Sequence, residues 1–87
     1  MKIHYELILR KIAGENILVP VGSAARKFNG LFAMTDVACF IWERLPDAEN
    51  DEKIVDAVTE NFDVDRDTAA ADAAEFLGRL RNFGIID

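Results

Sequence analysis

Apolar and polar positions alternate with one period up to about residue 34 and with another after it. From Tyr5 to Ile12, Tyr5, Leu7 and Leu9 fall on one side of an extended chain and Ile8 and Ile12 on the other. Glu6, Arg10 and Lys11 lie between them, an imperfect period of two that predicts a strand. Ala13-Gly14-Glu15-Asn16 reads as a turn. Ile17 to Pro20 reads as a second strand, ended by a proline that cannot donate to a ladder. Val21-Gly22-Ser23 turns the chain again, and Ala24 to Phe28 continues it in an extended form. Asn29-Gly30 then predicts a hairpin, because both residues tolerate positive φ. Leu31 to Met34 becomes the last strand, running directly into a helix.

After residue 34 the period changes to that of helices. Thr35 suits an N-cap, with Asp36 favoured in the first turn by the helix dipole. Val37, Ala38, Ile41, Trp42 and Leu45 form one apolar face, and Pro46 stops the helix. Asn50 or Asp51 caps a second helix, whose face is Ile54, Val55, Val58 and Phe62. Asp63-Val64-Asp65 leaves room only for a tight turn. Asp65 caps a third helix that runs to about Phe83, with Ala69, Ala73, Phe76, Leu77, Leu80 and Phe83 on its apolar side. Gly84 is placed as its C′ residue, and Ile85-Ile86 fold back on the core. These elements predict an α+β domain over residues 1–87. A small antiparallel sheet of about three strands (1–34) packs on a three-helix bundle (35–87), in a winged-helix-turn-helix-like order.

Composition narrows the function classes. The chain of 87 residues has 16 acids and 10 bases, a net charge of −6. Residues 1–34 hold Lys2, Arg10, Lys11, Arg26 and Lys27 against Glu6 and Glu15, five minus two, or +3. The remainder holds five bases and 14 acids, or −9, which repels phosphate where nucleic-acid binders attract it. The third helix begins among Asp65 and Asp67, at the end where base readout usually starts, so DNA binding is disfavoured. No apolar run approaches the ~20 residues that span a bilayer, and no signal-peptide pattern precedes Lys11. The lone Cys39 has no disulfide partner, so a cytoplasmic protein is expected.

Candidate chemistry is sparse. His4 is the only histidine, expected on a frayed terminus, and Cys39 is expected as a small core residue in the middle of the first helix. Neither points to a nucleophilic pair, and together they cannot supply the usual zinc ligand set. Asp63, Asp65 and Asp67 are spaced like the start of a calcium loop, but Thr68 and Ala74 stand where its Gly and Glu belong. No phosphate-binding glycine motif is present. The expectation is a chain with no catalytic residue, no metal and no cofactor.

Several strings resemble one family. Glu15-Asn16-Ile17-Leu18-Val19-Pro20 is followed by Asn29-Gly30-Leu31-Phe32-Ala33-Met34-Thr35-Asp36, then by Phe40-Ile41-Trp42-Glu43-Arg44-Leu45 and by Ile54 with Val58. Asp72-Ala73-Ala74-Glu75-Phe76-Leu77, Leu80 and Gly84-Ile85-Ile86 complete the order. Together they resemble the PqqD family, whose founding members act in the biosynthesis of pyrroloquinoline quinone (PQQ). The sequence is more similar to the broad PqqD-like group than to those members, which leaves the natural product open.

The resemblance implies a RiPP recognition element, a peptide chaperone of natural product biosynthesis without catalysis of its own. Such a domain binds the leader of a ribosomally made precursor peptide and presents it to a modifying enzyme, often a radical SAM maturase. It further implies that the leader adds as a strand to the edge formed by Leu31, Phe32, Ala33 and Met34. Asp72, Ala73, Phe76, Arg79 and Leu80 of the third helix would then line the groove. A DNA-binding winged-helix regulator and an interaction domain without a peptide groove are the rival readings. An open strand edge also offers itself to a second copy, so the expected state is a monomer that forms weak edge-paired or hairpin-swapped dimers at high concentration.

Overall fold

Strands β1 (Leu7–Ile12) and β2 (Glu15–Pro20) pair antiparallel, with Leu7 opposite Pro20 and Ile12 opposite Glu15, in a computed structural model that describes residues 1–87. This register leaves only Ala13 and Gly14 in the turn, with φ of 52° and 83°. Two consecutive positive φ values give the two-residue hairpin whose twist matches that of the strands. The turn is therefore tighter than the predicted four residues, and β2 begins at Glu15. Gly14 enters that conformation without penalty, whereas the Ala13 methyl costs roughly 1–2 kcal/mol there. Alternation then directs Leu7, Leu9 and Leu18 to the core and leaves Ile8 and Ile12 exposed on the other face.

The predicted second hairpin does not form. Ser23–Lys27 is a short helix, α1, entered through Gly22 at φ 60°. Ala, Arg and Lys are good helix formers, and Ala24 is fully buried beneath the sheet end. Asn29-Gly30 thus joins α1 to strand β3 (Phe32–Met34), and of that pair only Gly30 has positive φ. Leu31 precedes the strand and is 58% exposed. β3 pairs antiparallel with β2, with Leu18 opposite Phe32 and Asn16 opposite Met34, which gives the sheet order β1-β2-β3.

Three longer helices follow, each started by its predicted cap. Thr35 Oγ1 accepts the Ala38 N–H at 3.1 Å and opens α2 (Asp36–Arg44). Pro46 does not end the chain's helical path outright, because Leu45–Asp47 continues as a single 3₁₀ turn. Asn50 Oδ1 accepts the Lys53 N–H at 2.9 Å at the start of α3 (Asp51–Asn61). Asp65 Oδ1 accepts the Thr68 N–H at 2.7 Å at the start of α4 (Arg66–Asn82), which holds the Asp65 carboxyl below its ordinary range. The fold is α+β, a three-stranded antiparallel sheet beside α2, α3 and α4, with α1 as an extra helix. Leu18, Ile41, Leu45, Ile54, Val58, Leu77 and Ile85 fill the space between sheet and bundle.

The termini are tied down. His4 N–H donates to the Ile85 carbonyl at 2.8 Å, Ile3 bridges Ile86, and His4 Nε2 lies 2.6 Å from Asp87 Oδ1. The Met1 ammonium donates to the Leu45 and Ala48 carbonyls at 2.6 Å each, closing the end of the 3₁₀ turn. The N-terminus is therefore ordered, against the frayed segment expected around His4. No helix is long and apolar enough to cross a membrane.

Candidate functional site

β3 has β2 on one side and no strand on the other, so its outer main-chain groups have no ladder partner. α4 flanks that edge, and three hollows follow the line between them, all touching Arg79. The narrow end, about 190 Å³, is lined by Ala33, Thr35 and Val37 on one side and Asp72, Glu75 and Phe76 on the other. The wide end, about 850 Å³, lies among Lys27, Leu31, Phe32, Arg79 and Phe83. A small apolar crevice between them has Met34, Phe76 and Leu80 as its floor.

Helical spacing explains the wall. Asp72, Glu75, Arg79 and Phe83 fall three or four residues apart and share one face of α4. Phe83 closes the helix, where its backbone N–H bonds to the Arg79 carbonyl. Its ring does not join the core as predicted. Phe83 is 45% exposed and packs edge-on against Phe32 at 5.1 Å and Phe28 at 5.8 Å. Phe28 also meets Phe32 at 6.0 Å and Tyr5 at 5.2 Å, so an aromatic cluster floors the wide end and leaves one ring open to solvent.

The predicted site residues divide into three groups. Phe32 and Ala33 lie on the edge strand beside the groove, with Leu31 exposed at its wide end. Asp72 and Arg79 stand on the α4 wall. Met34, Phe76 and Leu80 are buried and only floor the groove. Ala73 is 1% exposed and lines none of the three hollows, so it is a core residue and not part of the groove. Sequence reasoning missed Glu75, Lys27, Phe28 and Phe83 as groove residues. Glu75 was recoverable, because it stands three residues from Asp72 and four from Arg79 on one helix face. Lys27 was not, because it reaches the site only through the unforeseen α1.

The groove carries unpaired charge. The ion pairs of the fold are His4–Asp87, Arg66–Asp56 and Arg81–Asp51. Arg81 grips Asp51 through both guanidinium nitrogens at 2.7 and 3.0 Å and donates Nε to the Asp87 carbonyl. The Arg81 guanidinium holds the Asp51 carboxyl below its ordinary range. Lys27, Asp72, Glu75 and Arg79 have no such partner. No reactive side chain points to chemistry here. Cys39 sits half-buried in α2, and burial pushes its thiol up, with Asp36 and Glu43 acting in the same direction. His4 is held against Asp87 at the joined termini. What the site offers is an open strand edge, an apolar floor and separated charges, the ingredients of strand addition.

The family model described as coenzyme PQQ synthesis protein D (PqqD) matches residues 15–86. Among solved structures, TbiB1 in complex with the TbiA(beta) leader peptide is similar at 29% identity and a TM-score of 0.70, over 100% of this chain and 95% of that chain. Lasso peptide synthetase B1 complexed with the leader peptide has the same fold at 20% identity and a TM-score of 0.68, over 97% of this chain and 93% of that one. No curated protein matches the sequence.

Proposed function

The chain belongs to the PqqD family, and from that premise we propose that it binds the leader of a ribosomally made precursor peptide and presents it to a modifying enzyme. The leader lies as a fourth strand on β3 and covers the groove against α4. One observation carries this reading: the free edge of Phe32–Met34 faces a groove whose floor is apolar and whose walls hold unpaired charges. The solved relative TbiB1 was captured with a leader peptide, which supports it. The chain itself performs no catalytic step, and its enzyme partner is of the radical SAM type. It works as one unit over residues 1–87, in the cytoplasm, as a monomer at micromolar concentration.

Main-chain hydrogen bonds supply affinity in this mode, and the groove supplies specificity. We expect a dissociation constant of about 1 μM or tighter, or ~8 kcal/mol. The test is an NMR titration of the labelled protein with synthetic leader peptides of short precursors encoded in the same genome. Amides of Phe32, Ala33 and Met34 should shift together with those of Asp72, Glu75 and Arg79. Binding that leaves these amides unmoved overturns the proposed site, and no binding overturns the proposed function.

A further inference from the structure

Resting on that reading, we infer that the groove selects leaders by the order of their charges: a basic residue first, then a large apolar residue, then an acidic one. The inference follows from how the unpaired charges are distributed along α4. At the narrow end the groove presents the carboxylates of Asp72 and Glu75, two against the single cation of Arg79, which lines both ends. At the wide end it presents the cations of Lys27 and Arg79 beside the open faces of Leu31 and Phe83, with no carboxylate among its lining residues. Neither set is neutralised within the protein. A bound strand therefore meets a net negative charge at one end and only cations at the other.

The direction of the chain converts this polarity into a sequence. Both pairings in the sheet are antiparallel, and antiparallel pairing is the more stable per residue. β3 runs from Phe32 at the wide end to Met34 next to the narrow end. An antiparallel strand added to it starts beside Asp72 and Glu75 and finishes beside Arg79 and Lys27. α4 rises 1.5 Å per residue, so Asp72 and Arg79 are about 10 Å apart along its axis. A strand advances about 3.4 Å per residue and directs alternate side chains to one face. The matching segment is thus basic, any, apolar, any, acidic, with the three defined side chains facing α4.

Two synthetic peptides of identical composition test this: one containing Lys-Thr-Leu-Thr-Asp and one containing Asp-Thr-Leu-Thr-Lys between the same neutral flanks. Affinity is read by fluorescence anisotropy, and the binding site by amide shifts. The first peptide should bind about tenfold more tightly at low salt, and the ratio should shrink as salt screens the charges. The double variant Lys27→Ala and Arg79→Ala should lower the tenfold ratio to about threefold, because Asp72 and Glu75 still discriminate at the narrow end. Both side chains are exposed, so its melting curve should match that of the parent. Equal affinities for the parent, with shifts at Phe32–Met34, overturn the charge order and leave strand addition standing. A preference undiminished in the double variant also overturns it. Absence of shifts at Phe32–Met34 with both peptides overturns strand addition itself, and the charge order with it.

Discussion

Replacing Phe83 by alanine separates binding from folding. An aromatic side chain of this size presents about 200 Å² when fully accessible. The 45% still exposed in the free protein is about 90 Å² that a bound leader would cover. At about 25 cal/mol per Å² this is worth ~2 kcal/mol of binding, or roughly thirtyfold in affinity. The part already buried, and the two edge-on contacts with Phe28 and Phe32, contribute to the fold. A fully buried Phe truncated to Ala costs about 3–5 kcal/mol, so this half-buried ring should cost about 1–2. The assay is isothermal titration with the leader, paired with urea denaturation of the free variant. Leu80→Ala is the control: Leu80 is 3% exposed beneath the groove, so it should lose about 2–5 kcal/mol of stability. If Phe83→Ala folds and binds the leader like the parent, the wide end is not part of the binding site.

Four further outcomes are expected. Ala13→Asn should stabilise the fold by about 1 kcal/mol, because Asn tolerates the positive φ that Ala13 adopts; thermal unfolding measures this. Leu18→Ala, at a fully buried position in the central strand, should cost about 2–5 kcal/mol by urea denaturation. Arg81 depresses the Asp51 carboxyl in the folded state, so the pair's stabilisation is complete above the ordinary carboxylate range of about 3.9 and disappears as pH falls through the lowered value. Asp51→Asn should therefore lose under ~1 kcal/mol at neutral pH, both side chains being well exposed, and nothing at the acid end of a pH series of urea melts. Light scattering over a hundredfold concentration range should find a monomer at low micromolar concentration, and a dimer persisting there would mean that the β3 edge is already occupied.

The elements legible in the sequence were those specified by their own residues. Thr35, Asn50 and Asp65 each carry a side-chain oxygen at the point where a helical apolar period begins, and each accepts the expected backbone N–H. Gly84 adopts the predicted C′ conformation, with φ 74°, and Ile85 and Ile86 are buried behind it. The misreadings arose where tertiary context decides. Ser23–Lys27 is too short to show helical periodicity, and Asn29-Gly30 behind it imitates a hairpin. Phe83 continues the apolar face of α4 in register, yet the helix ends there and its ring turns toward Phe32 instead of the core. Ala73 lies on the groove side by spacing, but its small side chain is enclosed by the core. The groove itself was visible only through family resemblance, because an open edge is a property of the strand order and not of any residue in β3.

The central claim is that a leader becomes the fourth strand of the sheet, and cross-strand proton contacts test it most directly. In an antiparallel pair, facing residues bring their Cα atoms within about 4.5–5.5 Å, close enough for intermolecular nuclear Overhauser effects. With the protein isotope-labelled and the leader unlabelled, a ladder of such contacts should run from the leader backbone to Phe32, Ala33 and Met34. Side-chain contacts to Arg79 and Phe83 should accompany it. A saturated complex with contacts to α4 or the outer face of the sheet, and none to the backbone of Phe32–Met34, would contradict the account.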